Sequence, residues 1–258
     1  MFKQIIEKLL RTLGYTISRR SNLKTQSQEF FPDGQIFIEI YEKCKKYTST
    51  SIERMNALFT ATKYVVENKI PGDIVECGVW KGGSMMLCAY TLLYLNDTSR
   101  KLYLYDTYEG MSEPTEVDIS FDNESAAEIK KQYEPYTHAN SKAWYYSSLE
   151  EVKKNLSLTG YPLDKLIFVK GKIEETIPDM MPNQISLLRL DTDWYESTYH
   201  ELNHLYPRLS AKGFLILDDY GHWEGARKAT NKYFKENNIN IFLNRIDYTG
   251  RLGIKNSK

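Results

Sequence analysis

Short apolar runs alternate with longer helical segments between residues 73 and 236, and this alternation constrains the fold more than any other feature of the sequence. The apolar runs, rich in β-branched or aromatic residues, are Asp73–Cys77, Lys101–Tyr105, Lys165–Val169, Ile185–Leu190 and Gly213–Leu217. The segments long enough for a helix are Ser84–Leu95, Ser148–Leu158, Ser197–Leu209 and Gly225–Glu236. Strands that alternate with helices form a parallel sheet that is covered on both faces. The sequence therefore predicts an α/β fold of this kind.

Two further apolar runs predict how the sheet ends. The runs Ile241–Ile246 and Arg251–Lys255 meet around Tyr248-Thr249-Gly250, which is typical of an antiparallel hairpin. Together with the five parallel strands, this C-terminal hairpin gives a mostly parallel sheet of seven strands. The alternation is interrupted by a long polar insertion at Glu109–Tyr146. Insertions of this length usually cover an active site or are mobile.

The first 34 residues differ in character from the domain that we expect at residues 35–258. Apolar residues recur at helical spacing among basic residues between positions 2 and 13, and a polar stretch leads to the turn residues Pro32, Asp33 and Gly34. These features predict a basic amphipathic helix followed by a flexible link. Such a helix can lie on an anionic membrane, or it can pack on its own domain or in a dimer. We expect a homo-oligomer, with peripheral membrane contact as the alternative role of the helix.

Hydropathy and charge limit the location and the partners of the chain. No stretch approaches the roughly 18 consecutive apolar residues of a membrane span, and the N-terminus lacks the apolar run and cleavage site of a signal peptide. We therefore expect a cytoplasmic protein, which would touch the inner membrane surface only through the N-terminal helix. Lys and Arg number 34 and Asp and Glu number 34. A nucleic-acid partner is not expected, because phosphate neutralisation needs a basic surplus on one face.

The three cysteines are Cys44, Cys77 and Cys88. Their odd number and their spacing match neither a disulfide framework nor a zinc site. We expect them to be buried free thiols in a reducing compartment.

A glycine-rich turn follows the first strand and leads into a helix. It runs from Glu76 through Gly78 and Gly82 to Ser84. Glycines allow a ligand to approach the backbone closely, and the first amides of the helix offer unpaired donors to an anionic group. The spacing matches neither the GxGxxG of dinucleotide-binding folds nor a P-loop. An acidic residue followed by G-x-x-x-G is instead the pattern expected for S-adenosylmethionine.

The second strand ends at Asp106, about 30 residues beyond Glu76. Its carboxylate is placed to accept hydrogen bonds from the two hydroxyls of an adenosine ribose. This position favours an adenosyl ligand but does not separate S-adenosylmethionine from NAD, and an aspartate that caps a turn remains the alternative.

Two acidic clusters follow the fourth and fifth strands. Asp191 and Asp193 follow the fourth strand, and Asp218 and Asp219 follow the fifth. In open α/β sheets the carboxyl ends of the strands meet at one edge, where ligands bind, and adjacent strands are about 5 Å apart. Converging carboxylates would repel each other, so a divalent cation such as Mg²⁺, Mn²⁺ or Ca²⁺ is predicted. His222 follows closely enough to touch a substrate.

At these residues the chain resembles the macrocin O-methyltransferase family. This family includes sugar methyltransferases of macrolide and aminocoumarin biosynthesis. The resemblance covers roughly residues 50–235. It is carried by five stretches in the expected order, which are Glu53–Ser84, Leu104–Met111, Lys170–Pro178, Leu190–Thr198 and Leu217–Gly221.

The resemblance implies a class I methyltransferase (Rossmann-like) fold, S-adenosylmethionine as methyl donor and a divalent metal, most commonly Mg²⁺. The implied metal ligands are Asp191, Asp218 and Asp219. The implied donor contacts are Glu76, Gly78, Gly82 and Ser84 at the methionine end, Asp106 at the ribose, and Ile173 with Ser147 or Ser148 at the adenine. Acceptor selection is expected in the insertion at Glu113–Tyr146.

The expected reaction is O-methylation of a sugar that presents two neighbouring hydroxyls. The cation would orient the hydroxyls and make them more acidic, and Asp193 or His222 would remove the proton. The acceptor could be a nucleotide-linked sugar, a surface polysaccharide precursor or a glycosylated natural product. The alternative activity is that of a metal-dependent glycosyltransferase, in which Asp191-Thr192-Asp193 would serve as the D-x-D motif.

Overall fold

The computed structural model describes residues 33–133 and 144–256 of the 258-residue chain. The chain divides into two compact units, Met1–Glu39 and Ile40–Lys258. Of the first unit, only the residues from 33 onward are described, and they begin helix α1. The basic helix and link predicted over residues 1–34 lie almost wholly outside the described residues, so that division of the chain stays a prediction.

The described residues contain a seven-stranded sheet and helices that precede, connect and follow its strands. The helices are α1 (Gly34–Cys44), α2 (Ile52–Glu67), α3 (Gly83–Tyr94), α4 (Ala126–Tyr133), α5 (Leu149–Ser157), α6 (Ile173–Thr176), α7 (Tyr195–Leu205) and α8 (Glu224–Glu236). The strands are β1 (Asp73–Cys77), β2 (Leu102–Asp106), β3 (Leu166–Lys170), β4 (Ile185–Leu190), β5 (Leu209–Leu217), β6 (Leu243–Arg245) and β7 (Arg251–Ile254).

The strands lie in the order β3-β2-β1-β4-β5-β7-β6. The first five are mutually parallel, whereas β7 is antiparallel to β5 and β6 is antiparallel to β7. The predicted α/β class, the mostly parallel sheet and the C-terminal antiparallel hairpin are confirmed. The chain order reverses direction across the sheet between β1 and β4, which is where open α/β sheets bind their ligands.

Residues along β1 alternate between the two faces of the sheet, as the period of a strand requires. On one face, Val75 and Leu188 pack with Leu202 of α7 and Tyr233 of α8 in the main apolar cluster. Helices α7 and α8 pack against each other, as do α2 and α3. On the other face of β1, Glu76 is fully buried. A buried carboxylate in the middle of the fold must have a partner, and that partner lies in the site.

All three cysteines are buried and free, as predicted. No helix within residues 33–133 and 144–256 combines the length and the apolar character that a membrane crossing requires.

Candidate active site

The turn between β1 and α3 is shaped by a close approach of two chain segments. Gly78 has a φ of 84°, and a Cβ atom at this position would lie 2.0 Å from the carbonyl oxygen of Asp191. Only glycine tolerates this combination of left-handed backbone and close contact. The loop after β4 can therefore lie directly against the loop after β1.

Asp106 holds this turn from the end of β2. Its Oδ2 accepts hydrogen bonds from the backbone N–H groups of Val79 (2.7 Å) and Trp80 (3.0 Å). Its Oδ1 accepts one from the N–H of Tyr108 (2.7 Å). Trp80 and Tyr108 both have positive φ values, of 47° and 55°. Left-handed backbone at residues other than glycine persists only where surrounding contacts impose it, and Asp106 supplies those contacts.

Arg189 is the buried partner of Glu76. The two residues are paired across strands β4 and β1, and Arg189 Nη1 lies 2.5 Å from Glu76 Oε1. The same guanidinium contacts Asp191 Oδ2 at 2.8 Å and Asp218 Oδ1 at 2.6 Å. Burial raises the pKa of Glu76 to about 7, and the charge of Arg189 opposes that shift. One arginine thus joins the tips of β1, β4 and β5.

A second arginine approaches the same cluster from α2. Arg54 donates to Asp218 Oδ2 through Nη1 and contacts Asp247 Oδ2 through Nε at 2.9 Å. Ser51 caps α2 by accepting the N–H of Arg54, and its hydroxyl also donates to Asp247 (2.7 Å). Both oxygens of Asp218 are therefore paired with guanidinium groups.

Asp191, Asp218 and Asp219 converge as the sequence predicts. One oxygen of each lies within 4.8 Å of those of the other two. Burial raises the pKa values of Asp191 and Asp219 well above their ordinary range, and neighbouring aspartates add to the shift, although Arg189 opposes it. The three aspartates and the neighbouring Glu76 face two arginines, so the formal negative charge of these acidic groups exceeds the positive charge of Arg54 and Arg189. Hard carboxylate oxygens at this spacing, with negative charge in excess, suit Mg²⁺, Mn²⁺ or Ca²⁺.

Asp193 lies next to this cluster with a left-handed backbone, at a φ of 66°. Its Oδ1 accepts a hydrogen bond from Trp223 Nε1 (2.7 Å), and its N–H is donated to Asp219 Oδ2 (3.3 Å). Burial, followed by the charge of Asp191, raises the pKa of Asp193 to about 8. A carboxyl with a pKa near neutrality, hydrogen-bonded and facing a cavity, is suited to proton transfer.

Part of the polar insertion is anchored to the domain by Asp118, which is buried. Its Oδ1 accepts the N–H of Tyr195 at the start of α7 (2.8 Å), and its Oδ2 accepts the N–H and hydroxyl of Thr115 (2.7 and 2.8 Å). Ser120 forms a bridge with Trp223 in the loop after β5. The insertion also contains helix α4, which was not predicted from its polar sequence.

A cavity of about 330 Å³ lies above the carboxyl ends of the strands. It reaches from the β1 and β2 tips to the acidic cluster, and all four tryptophans of the sequence line it. The predicted site residues that line it are Gly78, Ser84, Asp106, Ile173, Asp191, Asp193, Asp218, Asp219 and His222. The structure therefore brings four of the predicted donor contacts, Gly78, Ser84, Asp106 and Ile173, to one cavity with the three predicted metal ligands.

Four predicted donor contacts do not line the cavity. Glu76 is buried behind it with Arg189, and Gly82 precedes α3 with a φ of 87°, against Leu156. Ser148 caps α5 by accepting the N–H of Glu151, and Ser147 donates to the carboxylate of the same residue (3.0 Å). The hydroxyls of both serines are thus used to begin a helix.

The residues that sequence reasoning missed are those that support the site. They are Arg54, Arg189, Asp118, Glu201 and Trp223. Arg189 left a signal in the sequence, because it is a charged residue within the otherwise apolar run Ile185–Leu190. Arg54, Asp118 and Glu201 lie on helices or loops where a polar residue is unremarkable, and Trp223 is one of many aromatic residues in the sequence. Only the tertiary structure reveals the partners of these four residues.

The sheet order, the antiparallel final strands and the cavity at the switch point define a class I methyltransferase. Residues 33–252 match the sequence profile of the Macrocin-O-methyltransferase (TylF) family. The chain belongs to this family and is an S-adenosylmethionine-dependent O-methyltransferase. This assignment does not favour the glycosyltransferase alternative.

Curated relatives and a solved structure agree with the family. The 8-demethyl-8-(2,3-dimethoxy-alpha-L-rhamnosyl)-tetracenomycin-C 4'-O-methyltransferase of Streptomyces olivaceus is 32% identical over 204 residues, which cover 79% of this chain and 74% of the relative. The mycinamicin III 3''-O-methyltransferase of Micromonospora griseorubida is 30% identical over 204 residues, with coverage of 79% and 76%. The structure of the O-methyltransferase NovP matches with a TM-score of 0.70 at 27% identity, covering 82% of this chain and 83% of NovP.

Proposed function

We propose that this enzyme transfers the methyl group of S-adenosylmethionine to a hydroxyl of a sugar that is part of a larger molecule, with the help of a divalent cation. The observation that carries the proposal is the continuity of one cavity, which joins the tips of β1 and β2 to the cluster of Asp191, Asp218 and Asp219. The names of the curated relatives, which include a rhamnosyl-tetracenomycin methyltransferase, support a sugar as acceptor.

The donor belongs at the β1 and β2 end of the cavity. Gly78 and Ser84 would border its methionine end, Asp106 its ribose and Ile173 its adenine. Asp106 already accepts three backbone N–H bonds, so the turn that would carry the donor is formed in advance. Glu76 does not line the cavity and would act indirectly, by fixing the position of the Arg189 guanidinium. Holding the methyl group in line with an acceptor oxygen is itself worth effective molarities of about 10⁵ M or more.

The cation belongs at the acidic cluster. Asp191 and Asp219 would hold it, together with Asp218, whose oxygens are shared with Arg54 and Arg189. A divalent ion there would supply a positive centre that orients neighbouring hydroxyls of the acceptor and lowers their pKa. Arg189 fixes the positions of Asp191 and Asp218 relative to each other, because one guanidinium contacts both.

Removal of the hydroxyl proton is assigned to Asp193, with His222 as the alternative. Trp223 Nε1 holds the Asp193 carboxyl at 2.7 Å and so fixes its direction. His222 also lines the cavity, but burial lowers its pKa, and its Nδ1 lies 3.4 Å from the hydroxyl of Tyr248. Asp193 is preferred because it lies two residues from Asp191 in the same loop and its N–H is donated to the carboxylate of Asp219.

The proposal is tested first by calorimetric titration with S-adenosylhomocysteine, before and after EDTA, with UDP-glucose as the comparison ligand. We expect S-adenosylhomocysteine to bind with and without metal and UDP-glucose not to bind. A metal-dependent binding of UDP-glucose alone would overturn the proposal.

The acceptor is then sought by measuring S-adenosylhomocysteine formation with Mg²⁺ over paired methyl and phenyl glycosides of L-rhamnose, D-glucose, D-galactose and D-mannose. Asp219→Asn tests the cation site, with Asp164→Asn, an exposed residue outside the cavity, as control. We expect Asp219→Asn to lower methyl transfer at least 100-fold and to weaken Mg²⁺ binding measured by calorimetry, whereas Asp164→Asn does neither. Equal Mg²⁺ affinity in both variants would show that the acidic cluster is not the cation site.

A further inference from the structure

Two arginines face each other across the C-terminal hairpin. Arg245 in β6 and Arg251 in β7 are register partners at the end of the hairpin next to its turn. Side chains directly opposed in an antiparallel pair have Cβ atoms about 4.5–5.5 Å apart, and like charges at that spacing destabilise the pair. The hairpin therefore carries an unfavourable pair of charges unless an anion binds to them.

The two guanidinium groups are held against the turn by backbone oxygens. Arg245 Nε donates to the carbonyl of Asp247 (2.7 Å), and Arg251 Nη1 lies 3.5 Å from the same oxygen. Arg251 Nη1 also donates to the carbonyls of Thr249 (3.2 Å) and Gly250 (2.9 Å). These contacts fix the position of both groups, but carbonyl oxygens do not neutralise their charge.

The carboxylate of Asp247, in the turn between the two arginines, is already committed to other partners. Its Oδ1 accepts two backbone N–H groups of the turn, at 2.9 and 2.7 Å. Its Oδ2 accepts the hydroxyl of Ser51 (2.7 Å) and pairs with Arg54 Nε (2.9 Å). Among the described residues, no carboxylate forms an ion pair with Arg245 or Arg251.

A third arginine adds positive charge from α8. Glu224 pairs with both Arg227 (3.2 Å) and Lys228 (2.8 Å), so one positive charge remains in excess there. Burial lowers the pKa of Arg251, and the charges of Arg245 and Arg227 lower it further. Arg245 and Arg227 are therefore close enough to Arg251 for their charges to act on it.

This excess of positive charge matches a doubly charged phosphate group. A guanidinium presents paired donors that fit two phosphate oxygens at once. A phosphate monoester carries about 1.5 to 2 negative charges at pH 7, whereas a carboxylate or a phosphate diester carries a single charge. Two opposed guanidinium groups therefore favour a phosphate monoester or inorganic phosphate.

We propose that Arg245 and Arg251, with the charge of Arg227 beside them, form a binding site for a phosphate monoester or inorganic phosphate. None of the three arginines lines the cavity, although Tyr248 and Thr249, in the turn between Arg245 and Arg251, do. The phosphate site is therefore separate from the reaction site, and the inference does not rest on the proposed function.

The position of Arg245 on an edge strand gives the arginine pair a competing explanation. Strand β6 is the last strand of the sheet. Basic residues on an edge strand keep that edge from pairing with another chain. An arginine pair that did only this would bind phosphate no better than other exposed basic residues, so phosphate affinity separates the two roles.

The first measurement is calorimetric titration of the metal-free enzyme with inorganic phosphate at constant ionic strength. We expect a Kd of about 0.1–1 mM, and weaker binding of dimethyl phosphate, which carries a single charge. Arg245→Gln should weaken phosphate binding at least about tenfold, because it removes one of the two opposed guanidinium groups. Lys101→Gln, at an exposed lysine just before β2, is the matched control and should leave the Kd unchanged.

Arg245→Glu separates loss of the site from loss of the fold. A glutamate opposite Arg251 forms a favourable cross-strand pair. We therefore expect the Tm without phosphate to rise by about 1–3 °C, and the Tm increase that phosphate produces in the wild type to disappear. A lower Tm without phosphate, together with an undiminished response to phosphate, would contradict the inference.

The phosphate group can belong to a small molecule in solution or to a lipid headgroup, and vesicles distinguish the two sources. The vesicles are phosphatidylcholine with about 20% phosphatidic acid, whose headgroup is a phosphate monoester, or with about 20% phosphatidylglycerol, whose headgroup is a diester. Cosedimentation with the first kind alone, abolished in Arg245→Gln, would identify a lipid, whereas binding of inorganic phosphate without cosedimentation would identify a soluble phosphate. Equal phosphate affinity in the wild type and Arg245→Gln, or failure of the wild type to bind either probe, would overturn the inference.

Discussion

Glu201 lies on α7 behind the loop that carries Asp191 and Asp193, and its Oε1 accepts a hydrogen bond from the hydroxyl of Thr192 (2.9 Å). The residue is fully buried. Burial raises the pKa of Glu201 well above its ordinary value of 4.5, and the hydrogen bond from Thr192 opposes the shift only in part. The folded state therefore holds a proton on this carboxyl under conditions in which the unfolded chain has released it.

Glu201→Gln should consequently become more stable relative to the wild type as the pH rises. A raised pKa in the folded state gives stability that is complete below pH 4.5 and is lost as the pH rises toward the folded-state value, and glutamine cannot ionise. We expect the difference in free energy of unfolding by urea to grow between pH 5 and pH 8, by at most about 1.4 kcal/mol per pH unit. The exposed Glu196→Gln on the same helix is the control, and a pH-independent difference for Glu201→Gln would show that the wild-type residue is already ionised.

Asp193 carries the second prediction at this scale, because it is the proposed base. Asp193→Asn removes the proton acceptor but retains an oxygen that can face Trp223 Nε1. General base catalysis contributes about 10²- to 10⁴-fold, so we expect kcat to fall by that factor. Binding of S-adenosylhomocysteine, measured by calorimetry, should change less than twofold. A larger loss of kcat in His222→Asn than in Asp193→Asn would show that His222, and not Asp193, is the base.

At the scale of elements, the insertion and helix α7 depend on one buried aspartate. Asp118 accepts the N–H of Tyr195 at the first turn of α7 and two hydrogen bonds from Thr115. Gly225 in α8 lies so close that a Cβ atom there would be 2.0 Å from Asp118 Oδ1. The side chain therefore connects the insertion with the first turns of two helices.

Asp118→Ala should detach this part of the insertion. Loss of a helix cap costs about 0.5–2 kcal/mol, and the hydrogen bonds to Thr115 are lost as well, so we expect a loss of about 1–3 kcal/mol in the free energy of unfolding. Amide hydrogen exchange within residues 115–126 should accelerate more than in the strands. Glu116→Ala, an exposed change in the same segment, should do neither. Unchanged exchange in Asp118→Ala would mean that contacts other than those of Asp118 anchor the segment.

The strands were predictable because their apolar character is local. The prediction for β4 matches both observed bounds, and those for β2 and β3 differ by one residue at each end. Strand β5 begins four residues earlier than predicted, where its pairing with β4 shifts register. Helix α4 was missed because polar composition outweighs its few apolar positions, and its place in the structure depends on tertiary contacts of Ala126 with Trp194 and Trp223.

The site was predictable where chemistry requires residues at strand tips and unpredictable where residues act through a partner. Asp191, Asp218 and Asp219 converge because parallel strands place their carboxyl ends at one edge. Glu76 was assigned to the donor because it precedes the glycine-rich turn, but the alternation of the strand directs it into the interior, where Arg189 meets it. The spacing of residues in the sequence predicts where a strand ends. It does not predict the partner of a buried charge, because that partner lies on a neighbouring strand that is distant in the sequence.

At the scale of the whole molecule, the reactivity of the three thiols measures whether the elements of the second unit open together or separately. Cys44, Cys77 and Cys88 lie in α1, β1 and α3 and are all buried. Burial raises the pKa values of Cys44 and Cys88 to about 12 and that of Cys77 well above its ordinary value. A thiol reacts as the thiolate, so at pH 8 each is protected both by its lack of exposure and by its protonation.

We therefore expect Ellman's reagent at pH 8 to titrate less than 0.1 equivalent of thiol within ten minutes in the native enzyme and three equivalents in about 6 M guanidinium chloride. Thr98→Cys, at an exposed position, is the positive control and should add one equivalent that reacts at once. Any slow native reaction should proceed at one rate for all three cysteines, because the elements that carry them would have to open together. Rapid release of a single equivalent from the wild type would instead show that one of these elements opens independently of the sheet.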